Sequence, residues 1–110
     1  MNINEVPFTT ISWSGIPETR HEGESGFASW RTFEKGNIRA RIVEYSPGYL
    51  ADHWCSRGHV IHILKGEMIS ELKDGTKSFL SQGMTYMMSD DEVNPHRSYT
   101  EQGVTLFIVD

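Results

Sequence analysis

The stretch from His59 to Leu80, HVIHILKGEMISELKDGTKSFL, decides the fold. It divides into three short apolar-rich runs, His59 to Leu64, Glu67 to Leu72 and Lys77 to Leu80, separated by Lys65-Gly66 and Lys73-Asp74-Gly75. Asp-Gly between two strand-like runs is a strong hairpin signal. Working outward, the same texture recurs in Ile38 to Tyr45, Met84 to Met88 and Val104 to Val109. Ser46-Pro47-Gly48, Ser56-Arg57-Gly58, Ser81-Gln82-Gly83 and Thr100-Glu101-Gln102-Gly103 lie between these runs. Helical spacing of apolar residues is nowhere sustained, and Gly or Pro interrupts nearly every window. Short strands at such intervals predict an all-β sandwich or barrel, with closure removing exposed strand edges. The first thirty residues are less regular, broken by Gly15-Ile16-Pro17 and Gly23-Glu24-Ser25-Gly26, and are expected to form an N-terminal arm or edge strands.

With 110 residues the chain reads as a single domain, residues 1–110, able to bury one core. Its 37% hydrophobic and 23% charged residues exclude both a disordered chain and a membrane protein. The apolar run Val104 to Val109 falls far short of the roughly 20 residues that span a bilayer, and Met1 to Glu5 lacks the basic and apolar regions of a secretion signal. A cytoplasmic protein is expected. The net charge of −5, with no basic block, argues against nucleic acid as a partner.

The chemistry concentrates in His53-Trp54-Cys55-Ser56-Arg57-Gly58-His59. Cys55 is the single cysteine, so it is a packed spacer, a reactive thiol or a metal ligand. Residues two apart on a strand share a face, so His53 and Cys55 are expected to reach one point, and the Ser56-Arg57-Gly58 turn returns His59 beside them. Converging imidazole and thiolate groups are metal ligands first. They suit zinc best, and also iron, nickel or copper. Trp54 alternates with the two ligands and should point away. His62 stands three residues after His59, hence on the opposite face, and takes no metal role. His21 reads as a solvated residue of the arm, and Asp90, Asp91 and Glu92 as a solvated loop near the pocket mouth.

From Pro47 to the C-terminus the sequence resembles the cupin superfamily. That family's first motif is Gly, five residues, His-x-His, three or four residues, Glu, six residues, Gly; this chain reads Gly48, four residues, His53-x-Cys55, three residues, His59, six residues, Gly66. Cys55 stands in the place of the second ligand His and His59 in that of the ligand Glu, and both replacements are themselves ligands. The family's second motif is Gly, five residues, Pro-x-Gly, two residues, His, three residues, Asn. Here Gly83 is followed after five residues by Ser89-Asp90-Asp91, then four residues, His96, and Thr100 in the Asn position. Asp52-His53-Trp54-Cys55 is also similar to a cupin branch labelled by an Asp, His, Cys and Trp motif.

The resemblance implies a jelly-roll barrel, with His96 completing a metal set of His53, Cys55, His59 and His96 and with a pocket for a small-molecule ligand. Two functions follow. One is a small metalloenzyme acting on a small organic molecule, which needs an open coordination position. The other is a non-catalytic binding or structural cupin whose four ligands close a tetrahedral zinc. Tyr86, Tyr99, Arg97 and Glu71 are supporting acids, bases or donors by type alone. The run His59 to Leu64 is apolar on both faces, Ile61 and Ile63 inward against Val60 and Leu64 outward, so a second layer must cover it. Small cupins pair sheet to sheet, which implies a homodimer, with cover by the N-terminal arm as the alternative.

Overall fold

Alternating burial builds the strands, and one glycine lets the longest of them change sheets. The computed structural model describes residues 2–90 and 95–110. After a 3-10 turn at Trp13–Gly15, eight strands follow: β1 Thr19–Glu22, β2 Phe27–Lys35, β3 Ile38–Tyr45, β4 His59–Leu72, β5 Lys77–Ser81, β6 Thr85–Met88, β7 His96–Tyr99 and β8 Val104–Val109. All pairings are antiparallel. The first half of β4 lies between β8 and β6 in the order β1-β2-β3-β8-β4-β6, and its second half lies between β5 and β7.

The turn expected at Lys65-Gly66 is absent, because β4 runs through it. The register opposite β8 shifts between Ile63 and Lys65, and Gly66 takes φ +84°. That backbone is the mirror region open to glycine, and a Cβ there would strike the Gly103 carbonyl. A bulged, glycine-bearing strand bends, and this bend carries β4 from one sheet into the other. The Asp74-Gly75 hairpin does form: Glu71 pairs with Lys77, Gly75 has φ +94°, and Thr76 N donates to Asp74 Oδ1 at 2.8 Å.

Every second residue of β8 (Val104, Leu106, Ile108) and of the start of β4 (His59, Ile61, Ile63) is buried. Val43, Ile63 and Leu106 are wholly enclosed, each contributing about 1.5–3 kcal/mol through burial. At one end of the barrel the inward surface becomes polar, at His59 on β4 and Arg41 on β3. No helix among the described residues is long and apolar enough to cross a membrane.

The N-terminal third is more ordered than its composition announces. β2 is an interior strand between β1 and β3, and it sets Ala28 and Trp30 against the core. His21, expected in solvent, stacks on Trp30 at 3.8 Å. Trp13 packs edge-on against Phe107 at 6.2 Å, and Arg31 ties down the arm by donating to the Trp13 and Ile16 carbonyls. The arm therefore reaches the outer face of β8. Farther along that sheet, Leu64 and Met87 remain 42% and 70% exposed. His62 lies on this outer face, with Nδ1 against Thr85 Oγ1 at 2.7 Å.

Candidate metal centre

Cys55 and His96 are set opposite each other by a backbone exchange, Cys55 N to His96 O at 2.8 Å and His96 N to Cys55 O at 2.9 Å. Such a pair holds its Cα atoms about 5.5 Å apart with both side chains on one face. The first inward residue of β4, His59, arrives beside them. One donor atom from each of Cys55, His59 and His96 lies within 4.8 Å of the others. Both histidines are buried, with His59 Nε2 and His96 Nε2 2.8 Å apart.

His53 stands outside that group. Between the bridges Leu50–Tyr99 and Cys55–His96 the chain has four residues on one side and two on the other, so it bends at Asp52 and His53 instead of running extended. The two-residue alternation that placed His53 beside Cys55 does not survive such a bend. His53 lines the same cavity, but its side chain is 70% exposed, with Nδ1 against Asp52 Oδ1 at 2.6 Å. Trp54 packs beneath Arg97 at 4.5 Å and is not part of the cavity lining. Asp90 accepts from Gly58 N at 2.6 Å; Asp91 and Glu92 lie outside the described residues.

Sequence reading missed the group that organises this end of the barrel, Asp110. It follows Val104, Leu106 and Ile108 on the inward face of β8, and its side chain is wholly enclosed. A charge continuing an inward apolar alternation was the available signal. Arg39, its cross-strand partner, donates through Nε and Nη2 at 2.8 Å each, Arg41 Nη2 at 3.0 Å and His59 Nδ1 at 3.2 Å. Burial alone would raise the Asp110 carboxyl, but Arg39, His59 and Arg41 together hold it well below the usual carboxylate range.

This carboxylate acts on His59, and His59 in turn acts on His96 and Cys55. Burial would lower the His59 imidazole, yet bonds to Asp110 and Cys55 raise it above its ordinary value. His96, buried and facing His59 and His53, falls to about 4 and is neutral at pH 7. The Cys55 thiol is drawn down by the adjacent His59 against the opposing effect of burial. His59 thus donates from Nδ1 to Asp110, and His59 Nε2, His96 Nε2 and the Cys55 sulfur converge on one another. His96 Nδ1 is buried without a partner among the described residues. One thiolate and two imidazoles form a donor set that suits zinc and other borderline divalent metals. A carboxylate on the far nitrogen of a histidine is how proteins orient metal-binding imidazoles.

These groups open into a cavity of about 290 Å³. Trp30, Tyr45, Tyr49, Ile61 and Ile108 supply its apolar wall, and Arg39, Arg41, Arg57 and Arg97 its charge. Of the supporting groups expected by type, Arg97 lines the cavity and is held by Glu71 at 2.9 Å. Tyr86 packs against the core, and Tyr99 is partly exposed.

No family model matches the chain, and no curated protein does. Its structure is similar to that of an RmlC-like cupin from Shewanella frigidimarina at 14% identity, covering 96% of this chain and 91% of that one, with a TM-score of 0.74. A protein from Thermotoga maritima described as a predicted oxalate decarboxylase is similar at 13% identity, 92% and 96% coverage and TM-score 0.73. A cupin-2 domain from Rhodospirillum rubrum is similar at 17% identity, 94% and 75% coverage and TM-score 0.70. Identities this low speak to fold alone.

Proposed function

We propose, from the premise that the chain has the cupin jelly-roll fold, that it holds one divalent metal ion on Cys55, His59 and His96 and acts as a small metalloenzyme on a small organic molecule. The convergence of these three donors, with Asp110 fixing His59, is the observation that carries the reading. Zinc suits the set best, before iron, nickel or copper. When bound, such an ion supplies Lewis-acid chemistry in an enclosed pocket.

His53, the fourth residue of the expected set, decides between the two functions. If its exposed ring turns into the cavity, four protein ligands close a tetrahedral zinc and the site is structural. Held by Asp52 at the rim, it leaves three protein ligands and room for substrate, and this placement favours the enzyme. Elemental analysis of purified protein tests the first step: about one equivalent of zinc, iron, nickel or copper supports it. Protein that is metal-free and takes up neither added zinc nor added iron at micromolar concentration refutes it. Cobalt substitution tests the second. Sulfur-to-cobalt charge transfer with five-coordinate visible bands that shift on adding small anions is expected; a tetrahedral spectrum indifferent to anions gives the structural reading.

Pairing of two copies through the outer face of β4 and β6 belongs to the same proposal. Leu64 and Met87 are exposed, and Val60 and Met87 pair across β4 and β6 and border an open groove with Ile38 and Val109.

A further inference from the structure

Four guanidinium groups line the cavity, and two of them, Arg41 and Arg57, are incompletely answered there. Its lining includes Arg39, Arg41, Arg57 and Arg97, and no carboxylate among the described residues. Arg97 is answered by Glu71 at 2.9 Å and by Glu24 at 3.9 Å. The other three face one enclosed carboxylate, Asp110, which also serves His59, and Arg39 has Glu34 opposite it on β2 besides. Arg39 uses two donors on it. Arg41 gives it only Nη2, and Arg41 Nε is buried with no acceptor among the described residues. Arg57 Nε stops at 3.6 Å, beyond hydrogen-bond reach. A buried guanidinium with an unanswered donor is costly, and an anionic ligand would complete it.

We infer that the cavity binds a small carboxylate, gripped by Arg57 and Arg41 beside the Cys55, His59 and His96 cluster. The inference names the substrate class for the function proposed above, though the arginines are independent of any metal. A guanidinium presents parallel donors in a plane, which matches the two oxygens of a carboxylate. The rings of Trp30, Tyr45 and Tyr49 and the side chains of Ile61 and Ile108 accommodate a carbon skeleton, and about 290 Å³ limits it to a small one.

Calorimetric titration with malonate, its neutral diamide malonamide and inorganic phosphate, on metal-free and metal-loaded protein, tests this directly. Malonate should bind both forms, more tightly than malonamide or phosphate. Arg57→Gln, at a side chain 54% exposed and safe for folding, should weaken malonate about tenfold or more in each form. Arginine-dependent binding by protein that proves unable to take up metal supports the carboxylate inference while ending the metal reading. Malonate held no better than malonamide, phosphate held more tightly than malonate, or binding that requires metal and ignores Arg57→Gln overturns the inference.

Discussion

Replacing Asp110 by Asn tests whether one enclosed carboxylate both stabilises the barrel end and orients His59. The substitution preserves shape and removes the charge facing Arg39, Arg41 and His59, whose donors lie 2.8 to 3.2 Å away. An amide oxygen retains part of these bonds, but its NH2 meets donors where an oxygen had accepted. Breaking a buried ion pair from one side costs about 3–5 kcal/mol, and three cationic or polarised groups depend on this side chain. In a domain of this size that is a fall in Tm of about 12–20 °C, read by circular dichroism on metal-free protein. The folded-state pKa of Asp110 is depressed, so its stabilisation is complete above the unfolded value near 3.9 and is lost as pH falls below it. The gap between wild type and Asp110→Asn should therefore be full at pH 7 and shrink on acidification below about pH 4. Loss of the group that orients His59 should also weaken zinc binding about 10- to 100-fold. A Tm within 2 °C of wild type together with unchanged zinc affinity would refute the assigned role.

Gly66→Val places a side chain at φ +84° against the Gly103 carbonyl, where β4 changes sheets, and should cost about 3 kcal/mol or more in urea denaturation; a cost below 1 kcal/mol would show that the bend does not need glycine. Cys55→Ser should abolish sulfur-to-cobalt charge transfer and lower zinc affinity; because Cys55 is the single cysteine, a band that persists does not come from a thiolate and would end the sulfur assignment. His53→Ala should leave metal stoichiometry near one if three ligands suffice, and complete loss of metal would show the four-ligand site instead. Light scattering should give about twice 12.6 kDa for the wild type and the single-chain mass for Val60→Glu, which buries an unpaired charge in the proposed interface; a wild type at the single-chain mass ends the dimer reading.

What the sequence determined was whatever depends on local pattern. Ile38 to Tyr45 and Val104 to Val109 appear as strands with the bounds read from their residues, and Asp74-Gly75 turns a hairpin, because alternation and positive φ are local requirements. His59 and His62 separate to opposite faces by the same alternation. Tertiary structure decided the remainder. Lys65-Gly66, which has the composition of a turn, became a bend within β4, since whether a glycine ends a strand or redirects it depends on what lies opposite, here β8 and Gly103. Phe27 to Lys35 became an interior strand through its partners on either side. The two-residue slip between Leu50 and Cys55 turned His53 to the rim, which no spacing rule sees, because slippage belongs to a pair of strands and not to one. Asp110 gained its place only through Arg39 across the ladder and Arg41 and His59 on neighbouring inward positions, residues 51 to 71 positions away in the chain. A buried charge takes its role from the charges that folding brings to it.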